Sequence, residues 1–140
     1  MQEISDILAS FHDGEIEGFK GNHGELVLQI GCTYLAELEK AETEYFYLTI
    51  LEVKRFEFHF WGGKVVKGLK EIIDLELEIG YSKIEEDIIK TSCNVWVEKE
   101  GNSGGELWIE AKYGNLKNHE RKFMPAERLY ELSSIYWNNF

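Results

Sequence analysis

The segment Glu44 to Trp61, EYFYLTILEVKRFEFHFW, gathers more aromatic and β-branched residues than any other part of the chain, without a glycine or proline. Side chains alternate between the two faces of a strand, so the segment predicts the centre of a β-sheet. One row is expected to face the core, and it contains Phe46, Leu48, Ile50, Phe56, Phe58 and Phe60. Glu52 and Lys54 interrupt this row, and the segment far exceeds the usual strand length of roughly 5 to 6 residues. We therefore expect a bend, bulge or short turn within Glu52 to Arg55 that divides the segment into two strands.

Apolar periodicity predicts the other elements of the chain. Ile4, Ile7, Leu8 and Phe11 have helical spacing, and Pro125 is placed to open a second helix. Further strands are predicted over Glu15 to Lys20, Glu25 to Tyr34, Glu71 to Tyr81, Ile88 to Glu98 and Glu106 to Tyr113. The predicted connections include Ala36 to Glu44, Ser82 to Asp87 and Glu100 to Gly105.

These elements predict a mainly antiparallel β fold, because strands follow one another through short turns without βαβ alternation. A two-layer sandwich is the first choice and a bent partial barrel the second, with a short N-terminal helix and a C-terminal helix. The 140 residues fit one domain, residues 1–140, and no stretch reads as a linker.

The charge composition limits the classes of partner. Fifteen Lys and Arg stand against 26 Asp and Glu, which makes the formal net charge -11. Such a surface repels phosphate backbones and anionic lipid, so nucleic acid and membranes are not expected partners, whereas a basic protein is. Acidity that merely keeps the protein soluble is the alternative. The sequence shows neither a signal-peptide pattern nor a long apolar span, so we expect a cytoplasmic protein.

Residues that could support catalysis or bind a metal are few and scattered. The four histidines do not cluster in sequence, and Cys32 and Cys93 are expected to be buried thiols, so we predict no metal, no cofactor and no catalytic residue. His12 and Asp13 are the most enzyme-like pair, since a carboxylate beside an imidazole raises its basicity. The alternative is that Asp13 caps a turn while His12 packs or is solvated.

An acidic row on the predicted strand Glu71 to Tyr81 is the candidate partner-binding surface. It contains Asp74, Glu76 and Glu78, and Glu85 and Glu86 extend it into the next turn. The row either binds a basic partner or is a solvated face. Catalysis by two of these carboxylates would require different environments for them, which an even row does not provide.

Two tryptophans form the candidate site for a small ligand. Trp96 and Trp108 lie on opposite arms of the predicted 88–113 hairpin, away from its Val, Leu and Ile row. We expect them either to form a pair open to a ligand such as a carbohydrate or to be covered by the last helix.

The segment FHDGEIEGF, Phe11 to Phe19, is similar to the openings of several small uncharacterised bacterial families, in which an F/L-H-D-x-x-I turn leads into a β-rich domain. Phe11, His12, Asp13 and Ile16 match that pattern, and some of these families are grouped with immunity proteins of polymorphic toxin systems. The resemblance implies a non-catalytic protein that binds and neutralises a basic partner such as a toxin. The alternatives are a small-ligand or carbohydrate-binding module and, last, an acid/base hydrolase.

Overall fold

The computed structural model describes residues 1–22, 24–39, 45–99 and 102–138. Within these ranges the chain forms nine strands and four helices. The strands are β1 (Glu15–Asn22), β2 (Gly24–Gly31), β3 (Tyr45–Val53), β4 (Arg55–Phe60), β5 (Val65–Val66), β6 (Leu77–Glu85), β7 (Ile88–Lys99), β8 (Asn102–Glu110) and β9 (Tyr113–Lys117). The helices are α1 (Gln2–Ser10), α2 (Thr33–Leu38), α3 (Leu69–Ile73) and α4 (Ala126–Trp137). None of these helices is long and apolar enough to cross a bilayer.

All nine strands belong to one open antiparallel sheet with the order β5-β4-β8-β7-β6-β1-β2-β3-β9. β1 and β6 share only two residue pairs, so the sheet divides there into two halves. Phe19 on β1 contacts Phe56 on β4 edge-on, with ring centroids 5.0 Å apart, although three strands separate them in the sheet. The halves therefore curve toward each other around a shared core. The predicted mainly antiparallel β fold with a helix at each end is confirmed.

The segment at the centre of the prediction forms β3 and β4 and supplies much of the core. A positive φ of 54° at Glu52 bends the backbone, and Lys54 separates the two strands. The predicted break within Glu52 to Arg55 is therefore confirmed. Phe46, Leu48, Ile50, Phe58 and Phe60 are buried, and Phe56 is partly buried.

The helices close the open side of the curved sheet. The predicted apolar stripe of α1 is buried in the core, where α1 packs against β6, β7 and β9. Its last apolar residue, Phe11, contacts Phe46 with ring centroids 5.2 Å apart. α4 packs mainly against α1 and α2. Ala36 lies buried in α2 rather than in the predicted exposed connection, of which residues 40–44 lie outside the described part of the chain.

The predicted strand Glu71 to Tyr81 is wrong in its first part and confirmed only from Leu77 onward. Its first part is helix α3, and β6 begins at Leu77. The apolar side chains there also fit helical spacing, and a φ of 54° at Glu76 turns the chain into the strand. Tyr81 was predicted on the core row but is 77% exposed, because the register shifts between Ile79 and Ser82. A bulge of this kind reverses which face the following side chains occupy.

Two predicted connections are shorter than expected. β6 continues to Glu85, and the turn is made by Glu86 and Asp87 at φ values of 55° and 62°. β8 begins at Asn102, and its Gly105 pairs with both β4 and β7, so the part of the predicted Glu100 to Gly105 loop from Asn102 onward is strand. Polar and glycine-rich residues can pair here because strand pairing uses backbone hydrogen bonds, which do not require apolar side chains.

Candidate functional site

The outer face of β4, β8 and β7 displays a cluster of charged and aromatic side chains. The inner rows of these strands point into the core, so the alternate residues face outward. We call this cluster the Trp108 face, and it consists of Arg55, Glu57 and His59 on β4, Glu106, Trp108 and Glu110 on β8, and Lys90 on β7. These side chains are all partly exposed, and Asn94 and Glu85 at the margin are exposed. The face is therefore open to solvent.

Strand register places Trp108 at the centre of this face. Its Cα partners are Lys90 on β7 and Glu57 on β4. The indole stacks on the His59 ring with centroids 3.6 Å apart and an interplanar angle of 18°. Lys90 Nζ lies 4.4 Å from the indole centroid, and Trp108 Nε1 donates a hydrogen bond to Glu106 at 3.3 Å. Contacts from both neighbouring strands thus hold the indole in one orientation.

Each carboxylate of the Trp108 face has a partner on that face. Glu57 Oε1 lies 2.8 Å from His59 Nε2, and its side chain is 15% exposed. Arg55 Nε reaches Glu57 at 3.9 Å and Glu110 at 4.0 Å. An ionised carboxylate has the capacity to accept several hydrogen bonds, so these groups can also receive donors from a cationic partner. The arrangement places three carboxylates, those of Glu57, Glu106 and Glu110, and two cations around an aromatic centre.

The predicted acidic residues are not in one row. Glu78 and Glu85 lie on β6, where Glu78 accepts a hydrogen bond from Asn94 and Glu85 contacts Lys90 at 2.9 Å. Hydrogen bonds from Lys90 and Lys83 hold the pKa of the Glu85 carboxyl below its ordinary value. Glu85 therefore adjoins the Trp108 face through a shared lysine.

The remaining predicted acids occupy turns. Asp74 follows helix α3, Glu76 is exposed between α3 and β6, and Glu86 is exposed in the β6–β7 turn. The sequence predicts Asp74, Glu76 and Glu78 in one row because alternate residues of a strand over Glu71 to Tyr81 would share a face. The helix and the positive φ at Glu76 separate Asp74 from Glu78 instead.

The register does not place Trp96 opposite Trp108. The β7–β8 pairing runs from Ile89 to Asn94 and is interrupted before Lys99, so residue 96 lies beyond the stretch that pairs with Trp108. The side chain of Trp96 is outside the described part of the structure. Trp108 instead meets His59 from β4, a strand that is distant in sequence.

Sequence patterns could have identified one part of the Trp108 face. Arg55, Glu57 and His59 alternate with the phenylalanines of β4, which predicts that they share the outer side of one strand. Nothing in the sequence indicates that β8 pairs with β4. The contact between His59 and Trp108 was therefore missed.

His12 and Asp13 lie at the end of α1 in a cleft lined by aromatic rings. The imidazole lies 5.0 Å from the Tyr81 ring and 5.6 Å from the Trp137 ring, measured between centroids. His12 Nε2 is 3.6 Å from Asp13 Oδ1, and Asp13 has a positive φ of 71°. The His12 carbonyl accepts a hydrogen bond from the Tyr34 hydroxyl, whereas His12 Nδ1 is buried without a hydrogen-bond partner among the described residues. Asp13 thus forms a turn, and the imidazole packs between rings.

Both cysteines are buried as predicted, and burial changes their acidity. Desolvation raises the pKa of the Cys32 thiol to about 11 and that of Cys93 to about 12. Raised values lower the fraction of reactive thiolate at neutral pH. Within the described residues, no group of three or more His, Cys, Asp or Glu side chains is arranged to hold a metal ion.

The folded protein is expected to react slowly with a thiol reagent. At about pH 8, the raised pKa of Cys32 makes its thiolate about 100-fold rarer than that of a free thiol, and burial restricts access further. Ellman's reagent should label both cysteines rapidly in urea and neither rapidly in buffer. Fast labelling of one thiol in buffer would show that its part of the core opens readily.

Comparison of the chain with protein-family models, with curated proteins and with solved structures found no match. The functional interpretation therefore depends on the geometry of the Trp108 face and on the charge of the chain.

Proposed function

We propose that this protein is a non-catalytic interaction protein that binds and neutralises a basic protein, such as a toxin, in the manner of an immunity protein. The Trp108 face is the proposed binding surface. The main support is the orientation of Trp108, whose partly exposed indole is held by His59 and Lys90 within a set of carboxylates. Tryptophans in such settings dominate the binding energy of many protein interfaces.

The existing contacts between these side chains support the proposal, because ordering interface side chains on binding normally costs conformational entropy. Glu57, His59 and Trp108 already have hydrogen-bond or stacking partners in the free protein. A partner therefore meets side chains that need little further ordering.

Charge supports a basic partner in particular. The net charge of -11 attracts a cationic protein over a distance and rejects acidic ones. Glu57, Glu106 and Glu110 surround the indole, and Glu85 lies at the margin. Lysine and arginine side chains of the partner would add hydrogen bonds to these carboxylates.

The same geometry favours a protein partner over the small-ligand alternative. A sugar that stacks on tryptophan needs an open ring face. His59 covers one face of the Trp108 indole, and Lys90 lies within cation–π distance of the ring. The resemblance of Phe11 to Phe19 to families that include immunity proteins points in the same direction.

Binding of a basic partner tests this proposal. Tagged wild-type protein is expected to retain a basic protein from cells of its source at low ionic strength and to release it as salt is raised. With the purified partner, Trp108→Ala should weaken binding by about 30-fold or more, which corresponds to about 2 kcal/mol. Calorimetry or surface plasmon resonance measures the affinities.

Two further variants make the result specific to this face. Tyr113→Ala removes an exposed aromatic residue from β9, in the other half of the sheet, and should bind as the wild type does. Glu106→Lys keeps the indole but reverses a neighbouring charge, and it should also weaken binding. Equal affinity of Trp108→Ala and Tyr113→Ala, or failure to retain any basic protein, would contradict the proposal.

A further inference from the structure

The half of the sheet formed by β1, β2, β3 and β9 has a groove on its outer face, with a volume of about 420 Å³. We call it the basic groove, and its main lining residues are Gly18, Lys20, Gln29, Tyr47, Lys117 and Arg121. Its volume lies within the range of pockets that bind small molecules, which is about 300 to 1,000 Å³. The groove is separate from the Trp108 face, which lies on the other half of the sheet.

Strand register explains how residues distant in sequence meet in this groove. Gly18 pairs with Gln29, Gln29 with Tyr47, and Tyr47 with Lys117, which forms one row across four strands. A second row lies two residues along each strand and so shares the same face. It contains Lys20, Val27 and Thr49.

A tight turn after β9 builds one wall of the groove. Asn118 Oδ1 accepts hydrogen bonds from the backbone N–H groups of Glu120 and Lys122, and Lys117 pairs with Phe123. Arg121 lies within this turn, and its Cζ is 4.9 Å from the centre of the Tyr47 ring. The turn thus holds the guanidinium over the aromatic floor.

The charge of the groove is opposite to that of the whole chain. Lys20, Lys117 and Arg121 line it together with a single carboxylate, Glu25. None of the three cations forms an ion pair with a carboxylate in the described ranges. In a chain with 26 acidic residues against 15 basic ones, the groove therefore brings together three exposed cations that are available to an anion.

Gly18 leaves space at the floor of the groove. A Cβ added at Gly18 would lie 3.7 Å from Gln29 Oε1, which is an ordinary contact distance. The φ of Gly18 is not in the positive region, so other residues can adopt this backbone conformation. A larger side chain would therefore extend into the groove without forcing the strand to move.

We propose that the basic groove binds a small organic anion that carries a phosphate or carboxylate group. Arg121 and Lys117 bind the anionic group, since guanidinium and ammonium groups form strong charge-assisted hydrogen bonds to such oxygens. Gln29 and Thr49 offer hydrogen bonds to the uncharged part of the ligand. The uncharged part of the ligand occupies the space above Gly18.

Titration with three probes tests the groove. Adenosine monophosphate, citrate and inorganic pyrophosphate are added to the protein, and binding is followed by calorimetry and by amide chemical shifts. We expect at least one probe to bind with a Kd of about 1 mM or lower, with shifts centred on Gln29, Tyr47 and Lys117. The phosphate and carboxylate probes distinguish the two chemistries.

Two variants alter the groove in independent ways. Arg121→Gln removes charge, and Gly18→Leu fills space without changing charge; each should weaken the probe that binds by at least about tenfold. Lys67→Gln is the matched charge control, because Lys67 is exposed and follows β5, at the edge of the sheet opposite β9; this variant should bind as the wild type does. Circular dichroism verifies the fold, and Lys20→Gln replaces Arg121→Gln if that variant is misfolded.

Several outcomes would overturn the proposal. No binding of any probe at millimolar concentration excludes an anion site of useful affinity. Weakening by Arg121→Gln without weakening by Gly18→Leu would indicate general charge attraction rather than a groove. Equal weakening by Lys67→Gln would lead to the same conclusion.

Discussion

Replacing Phe11 by alanine is expected to lower the free energy of unfolding by about 3–5 kcal/mol, the range for a buried phenylalanine. The side chain is completely buried and contacts Phe46 at the centre of β3. It also follows the last turn of α1, and its carbonyl accepts the N–H of Gly14 where the chain enters β1. The substitution therefore leaves a cavity where the N-terminal helix joins the sheet.

Urea unfolding followed by circular dichroism measures this loss of stability. Phe123→Ala is the matched control, because it removes the same side chain from a position that is 68% exposed, and it should change stability by less than about 0.5 kcal/mol. A loss below about 1 kcal/mol for Phe11→Ala would mean that α1 is not docked in the core as described.

Gly105→Ala is expected to be the other strongly destabilising change, by about 3 kcal/mol or more. A Cβ at this position would lie 2.1 Å from the His59 carbonyl oxygen and 2.8 Å from Phe60 Cα. These are backbone atoms of β4, so relief requires β8 and β4 to separate. Because the same strand pair places His59 on Trp108, the near-ultraviolet circular dichroism of the indole should also change.

Gly18→Ala provides the comparison, since its added Cβ meets nothing closer than 3.7 Å. We expect its stability to remain within about 0.5 kcal/mol of the wild type and its tryptophan signal to be unchanged. Similar behaviour of the two alanine variants would show that β8 and β4 are not packed as closely as described.

Local periodicity predicted much of the fold. The buried row from Phe46 to Phe60, its break near Glu52 and the stripe of α1 could all be read from neighbouring residues, because each pattern repeats within one element. The prediction failed at Glu71 to Tyr81, where an apolar pattern fits either a helix or a strand and a bulge reverses the faces.

The candidate sites depended far more on contacts between distant residues. The alternation of Arg55, Glu57 and His59 with phenylalanine indicates an outward row. Its neighbours, Trp108 on β8 and Lys90 on β7, belong to segments much further along the chain. The same holds for the basic groove, where Gly18, Tyr47 and Arg121 belong to three separate segments.

Residue order alone was enough for the β class, the helix at each end and the acidic character of the chain, because composition and short-range alternation express them directly. Folding was needed to stack His59 on Trp108, to separate Asp74 from Glu78 and to collect Lys20, Lys117 and Arg121 in one groove. The physical reason is strand pairing. The register between remote segments determines which outward side chains become neighbours, and the local sequence pattern does not predict that register.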